Sequence, residues 1–336
     1  MADEPGPDGA QGRSLPEPPA YGHRSVAEIL PSCAAALGVP GFENALGLPE
    51  VPRVCVVMVD GLGRQLLTRN AAHTPFLRAA LQAGQGGIPT TVTTVSRPQF
   101  ERSPLTRAAL RGGTFIGADT LHARTTAAAR AMAASPRMLL YFYLTELDKA
   151  GHLSGCASPA WEEALEEVDA CIRRLDGQLP TGTLVLVTGD HGMVDVPEAR
   201  RIDYGAEAGL VEGVRHTAGE PRMVHLHVED PTDDGAVQRV LERWRERFGS
   251  QAWVMTRAEA VARGLFGDLR AEVAERIGDV LVSVHGDLAL YDGRRVRPAA
   301  FAMVGQHGSL TRAERQVPFI AFRAAGRVQS KRRRRG

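Results

Sequence analysis

Four cysteines, none of them in a CxxC pair, are all that the 336 residues contain. Cys33, Cys55, Cys156 and Cys171 therefore indicate neither a disulfide framework nor a cysteine metal site. Cys55 lies inside an apolar run, where a buried thiol is expected. An excess of charge is missing as well. Forty basic and 39 acidic side chains leave a formal net charge of +1, so nothing pulls the whole chain toward nucleic acid or an anionic membrane. No apolar run approaches the ~18 residues of a membrane-spanning helix. The opening "MADEPGPDGAQGRSLPEPP" has no apolar h-region. A cytoplasmic, reducing setting is the expectation. Internal repeats are absent too.

What is present suits a large globular fold. Hydrophobic residues make up 43% and charged residues 24%, enough for one large domain or a domain with a smaller module. Residues 1–22, acidic and rich in proline and glycine, read as a disordered arm. Residues 326–336, ending "SKRRRRG", read as a solvated basic tail without a specific nucleic-acid site.

Between these ends, buried strands alternate with helices. "RVCVVMVDG" (53–61), "RMLLYFYLTELD" (137–148) and "GTLVLVTGDHG" (182–192) are continuous apolar runs of the kind that a parallel sheet buries on both faces. "HTPFLRAALQAG" predicts a helix with Thr74 as N-cap, Pro75 at its first position and Gly84 as its C-terminal cap. "SPAWEEALEEVDACIRRLDG" predicts another, capped by Ser158 and opened by Pro159. Its apolar stripe is Trp161, Leu165, Val168, Ile172 and Leu175. The pattern is α/β, a mostly parallel central sheet flanked by helices, spanning 23–214 and 292–325. Residues 215–291 change texture, mixing alternating strands such as "MVHLHVE" with the amphipathic "GAVQRVLERWRERFG". They read as an inserted α+β module.

The three apolar runs all end in acids or histidines. Functional crevices of open α/β sheets lie at the carboxyl ends of strands. Asp60 ends the first run, Asp148 the second, and Asp190 with His191 the third. His152 follows Asp148 by four residues, so a helical turn there would put both on one face. His307 stands between Gln306 and Gly308. Carboxylates and imidazoles suit zinc, manganese or iron(II), and six such groups suit two adjacent divalent ions that clamp a phosphoryl group. Each residue also has a structural reading. Asp60 with Gly61 suits a turn, Asp190 with His191 a helix cap, His307 a structural histidine and His152 an exposed loop residue. His225 and His227 alternate on one strand face and suggest another metal, although no third ligand is evident nearby.

Taken in order, "VVMVDGLG", "HTPFLRAALQAG" leading to "IPTT", "YLTELDKAGH", "TGDHGM" and "GQHGSL" resemble the alkaline phosphatase superfamily. They look most like its type I phosphodiesterase/nucleotide pyrophosphatase branch. The resemblance implies an alkaline-phosphatase-like fold and two divalent metal ions, usually zinc. Asp148, His152 and His307 would hold one; Asp60, Asp190 and His191, with a nucleophilic threonine, would hold the other. It further implies a small phosphorylated substrate such as a nucleotide or phosphodiester.

The stretch "GGIPTTVTTVSRP" departs from that pattern. The family places its nucleophile three residues after the proline, and here that position is Val92. The chain reads as if a block had been removed after Thr91, a block that would supply a helix and part of the substrate cleft. Thr91 is the best substitute nucleophile, with Thr90 and Thr93 weaker. The threonines also suit plain strand formation. Two readings follow: a metal-dependent hydrolase of phosphodiester or pyrophosphate bonds, its activity impaired by the altered loop, or a catalytically dead remnant that binds metal or phosphate. A sulfatase is excluded, because no modifiable Cys or Ser stands in a CxPxR-like setting.

Overall fold

The structure, a computed structural model, describes residues 14–70, 73, 74, 76 and 91–326. Its strands in chain order are β1 (Arg53–Val59), β2 (Thr91–Ser96), β3 (Thr114–Gly117), β4 (Met138–Leu144), β5 (Leu184–Thr188), β6 (Val194–Asp195) and β7 (Arg201–Asp203). They continue as β8 (Val214–Glu220), β9 (Met223–Val228), β10 (Ala252–Thr256), β11 (Val280–Val284), β12 (Ala289–Tyr291), β13 (Gly305–Gln306) and β14 (Phe319–Arg323). The principal helices are α1 (Ile29–Ala36), α2 (Arg64–Arg69), α3 (Pro104–Ala109), α4 (Leu121–Ala134), α5 (Glu146–Ser154), α6 (Pro159–Gln178) and α7 (Asp234–Phe248). None of the described helices is long and apolar enough to cross a membrane.

The chain divides into two units, one running from Ala20 to Met193 and resuming at Gln316, the other comprising Val194–Arg315 with the residues up to Pro19. The first unit is built on a six-stranded sheet in the order β14-β5-β1-β4-β2-β3. Five strands are parallel, and β14 runs antiparallel to β5 at the edge. Both faces are covered, which is why β1 and β5 are apolar without alternation. Val54, Val56, Leu184 and Leu186 pack under Ile29 and Cys33 of α1 on one face. Val57, Leu140, Phe142, Val185 and Val187 pack on the other with Met132 of α4 and with Trp161, Leu165, Val168, Ile172 and Leu175 of α6. All five α6 residues are fully buried, and the Ser158 side chain accepts from the Trp161 amide, as the sequence pattern predicts. The four cysteines are buried and form no disulfide.

The second unit carries a four-stranded antiparallel sheet in the order β10-β11-β9-β8. Val240, Leu241, Trp244 and Phe248 of α7 pack with Val224, Leu226 and Val282 of that sheet. This unit is wider than the module expected at 215–291. Strand β7 pairs with β12 and β6 pairs with β13, so the flanking segments fold with it, and His307 belongs here.

Two further expectations need correction. The arm is not disordered throughout. Leu15 packs beside Met255 and Leu281, and Arg315 Nη1 donates to the Glu17 carbonyl at 3.0 Å. Gly326, expected in a free tail, donates to the Asp176 carbonyl at 3.2 Å. The remaining arm and tail residues, and the expected helix from His73 to Gly84 apart from His73, Thr74 and Phe76, lie outside the described residues.

Candidate metal centre

Strand β1 ends at Val59, and the Asp60 amide extends the pairing by donating to the Leu144 carbonyl at 2.9 Å. The neighbouring β5 ends at Thr188, two residues before Asp190. Two close approaches crowd these strand ends. Gly61 has φ of +77°, and a Cβ there would lie 3.1 Å from both Asp148 Cα and Met193 Sδ. At Gly189 a Cβ would lie 2.5 Å from the Leu62 carbonyl oxygen. The sequence "DGLG" can therefore cross "TGDH" only because position 189 is glycine, while glycine at 61 leaves room for Asp148.

This crossing assembles Asp60, Asp190 and His191, whose ligand atoms lie within 4.8 Å of one another. His191 Nε2 is 3.2 Å from Asp60 Oδ1 and 3.8 Å from Asp190 Oδ1. The other ring nitrogen, Nδ1, lies 3.2 Å from the Gly192 carbonyl. A carbonyl only accepts, so Nδ1 carries the proton when the ring is neutral, and the Nε2 lone pair faces the two carboxylates. Asp190 Oδ1 accepts from the His191 amide at 3.0 Å and from the Gly61 amide at 3.4 Å.

Asp148 and His152 lie on α5. The predicted strand thus stops four residues short of Asp148, at Leu144, and Asp148 sits in the first turn of a helix. The four-residue spacing then works as helix geometry requires, with His152 Nε2 3.2 Å from Asp148 Oδ1. A ligand atom of Asp148 also lies within 4.8 Å of one of His191. Five of the six predicted ligands thus meet at the carboxyl ends of the sheet within one unit. His307 follows β13 in the other unit, beside the buried Gln306, whose Nε2 donates to Tyr291 Oη at 2.9 Å.

The charges at this centre fit a dication. Burial and the adjacent Asp60 carboxylate push Asp190 up to about 6, partly offset by His191 and two backbone amides. Burial would lower His191, but its bond to Asp60 and the charges of Asp190 and Asp60 raise it to about 9. Two carboxylates that repel each other, Asp60 half-buried and Asp190 exposed, suit a divalent ion, and His191 adds a nitrogen donor.

The threonine segment is placed elsewhere. Thr91 pairs with Met138, and Met138 pairs with Arg53, the first residue of β1. Asp60 lies seven residues further along, so at about 3.3 Å per residue the two positions are separated by roughly 23 Å along the sheet. The structure does not bring Thr91 to the ligand cluster. Thr93 is buried at the level of Leu140, and Val92, at the level of Leu139, is exposed. Thr90 lies outside the described residues. His225 and His227 are in no group of three potential ligands among the described residues, and His225 Nδ1 instead faces the Gly278 amide at 3.2 Å.

Some neighbours escaped sequence reasoning. Tyr143 Oη donates to Asp60 Oδ2. Burial, then the Asp60 charge and this bond, raise the phenol well above its ordinary value, so it remains a donor. Glu146 is held by Arg124 and Arg97. The available signal was Tyr141 and Tyr143 alternating in an otherwise apolar strand; for the arginines nothing local marks the partner.

A family model described as type I phosphodiesterase / nucleotide pyrophosphatase matches residues 89–310, about two thirds of the chain. The match includes Asp148, His152, Asp190, His191 and His307 and begins after Asp60. Among solved structures, human ectonucleotide pyrophosphatase / phosphodiesterase 5 superposes with a TM-score of 0.58 at 12% identity, covering 82% of this chain and 88% of that one. The murine counterpart, in an inactive threonine-to-alanine variant in complex with AMP, gives 0.59 at 12% identity over 82% of this chain and 90% of that one. A further murine structure gives 0.55 at 14% identity with the same coverage. At these identities the likeness establishes the fold. No curated protein matches the chain in sequence.

Proposed function

This chain belongs to the type I phosphodiesterase / nucleotide pyrophosphatase family, and from that premise we propose that it hydrolyses phosphodiester or pyrophosphate bonds of a small phosphorylated substrate such as a nucleotide. The observation that carries the reading is the convergence of Asp60, Asp190 and His191 where β1 and β5 end. In this proposal those three side chains hold one divalent ion, and Asp148 and His152 hold a second, for which the family resemblance adds His307. Zinc fits this oxygen and nitrogen donor set, and manganese or iron(II) also match it. When bound, a pair of such ions supplies positive charge for the oxygens of a phosphoryl group. The chain's part is to fix the donors. Glycine at 189 lets the two loops approach, glycine at 61 leaves room for Asp148, helix α5 spaces Asp148 from His152, and the Gly192 carbonyl orients the His191 ring. The murine relative in complex with AMP supports a nucleotide as the first substrate class to try.

The register of β2 favours a second reading, in which metal and phosphate bind without turnover. With Thr91 paired at the far end of the sheet, none of Thr91, Thr93 and Thr94 is level with Asp60. Zinc-loaded protein incubated with bis-p-nitrophenyl phosphate decides between the two. Turnover that disappears in Asp190→Ala supports hydrolysis; stoichiometric zinc and phosphate binding without product supports the second reading.

A further inference from the structure

We infer that Tyr143 is a positioning residue for the metal centre: its hydroxyl fixes the rotation of the Asp60 carboxylate so that one oxygen faces the cation. The inference rests on the reading that Asp60 is a metal ligand. An aspartate carboxylate rotates freely about its last torsion, which has broad, two-fold minima. Two contacts divide the oxygens of Asp60 here. Oδ2 accepts from Tyr143 Oη, and Oδ1 faces His191 Nε2 at 3.2 Å. An ionised carboxylate only accepts, so the phenol is the donor. Oδ1 is thereby left on the side of Asp190 and His191.

Tyr143 is itself well held. Its pairing with Met58 sets it on the strand beside β1, and alternation gives Met58 and Asp60 the same face of the sheet. The ring packs edge-on against Phe100 at 5.9 Å and stacks on Tyr141 at 6.2 Å. Its carbonyl accepts from Nη1 of the fully buried Arg124 at 3.2 Å. A rigid donor fixed by strand pairing, two rings and a buried guanidinium is what an outer-shell partner needs in order to orient a ligand. Tyr141 neighbours the same cluster but makes no hydrogen bond to Asp60 or Asp190 among the described residues, so it serves as the internal control.

Zinc affinity is measured by competition with a chromophoric chelator for the full chain, Tyr143→Phe and Tyr141→Phe. Phenylalanine keeps the ring contacts and removes only the hydroxyl. Tyr143→Phe should bind zinc about ten- to hundredfold more weakly, the range found for outer-shell partners, while Tyr141→Phe stays within about twofold of the parent. The visible absorption bands of cobalt(II) substituted into the site should shift in Tyr143→Phe alone, which a general loss of stability would not produce. If the unaltered chain binds neither ion, the metal reading fails and takes this inference with it. If the chain binds both ions and Tyr143→Phe matches it in affinity and spectrum, the inference alone is overturned.

Discussion

Arg124 has no exposed side-chain surface, and both of its terminal nitrogens reach the carboxylate of Glu146, Nη1 to Oε2 at 3.3 Å and Nη2 to Oε1. Glu146 opens helix α5 two residues before Asp148, and Arg97 adds a bond from the end of β2 at 2.9 Å. Glu146→Ala should therefore cost about 3–5 kcal/mol, because it strands a buried guanidinium. Replacing both members, as in Arg124→Met with Glu146→Met, should recover much of that loss. Urea midpoints of the parent and these two variants check this.

The same contact has a pH signature. Burial alone would raise Glu146, but the bonds from Arg124 and Arg97 hold it below its ordinary value of 4.5. A lowered folded value contributes stability that is complete above the unfolded value and lost as pH falls through the folded one. The urea midpoint should thus decline below about pH 4.5, and Glu146→Gln should flatten that limb.

Zinc binding should strengthen as the solution becomes more alkaline. After a chelator removes metal, His191 titrates at about 9, above its ordinary 6.5, so its charge contributes stability that is full below 6.5 and lost as pH rises through about 9. A ligand imidazole must be deprotonated, so zinc affinity should climb until about pH 9 and level off. Below about pH 6, protonation of Asp190 should weaken binding further. Isothermal titration across pH 5.5–9.5 reads both limbs, and in Asp60→Asn the upper one should move to lower pH.

Placing a hydroxyl at the family's expected position should not change catalysis. Val92 pairs with Leu139, near the amino ends of the parallel strands. Val92→Thr should leave hydrolysis of bis-p-nitrophenyl phosphate unchanged, and so should Thr91→Ala. Asp190→Ala should abolish it. Dependence of the rate on Thr91 would show that β2 shifts register in solution.

Gly189→Ala tests the loop crossing. Its Cβ would sit 2.5 Å from the Leu62 carbonyl oxygen, so the backbone must separate. Overpacking of this kind costs about 1–3 kcal/mol. Because the shift occurs one residue before Asp190, zinc affinity should fall along with the thermal midpoint.

How far the chain could be read depended on where each signal lives. Helix α6 was legible to its cap, because Ser158, Pro159 and five spaced apolar residues are local features. Asp148 and His152 were legible as a pair because four residues is a helical repeat, although the end of β4 was placed four residues too late. Leu15 looks in the sequence like part of a free arm because its partners, Met255 and Leu281, lie more than two hundred residues away. Tyr143 carried no motif at all, and its role emerges only from the strand pairing that sets it beside Asp60.

By itself the sequence determined the composition of the centre. Acids and histidines at the ends of apolar runs are chemistry that no packing can add or remove. Tertiary structure alone decided which of these groups meet and which hydroxyls do not. Strand order brings Asp60 beside Asp190, whereas register sends Thr91 to the opposite end of the sheet. The physical reason is that pairing between strands distant in sequence is set by the sum of burial on both faces, so a residue's position along a strand cannot be read from its neighbours in the chain.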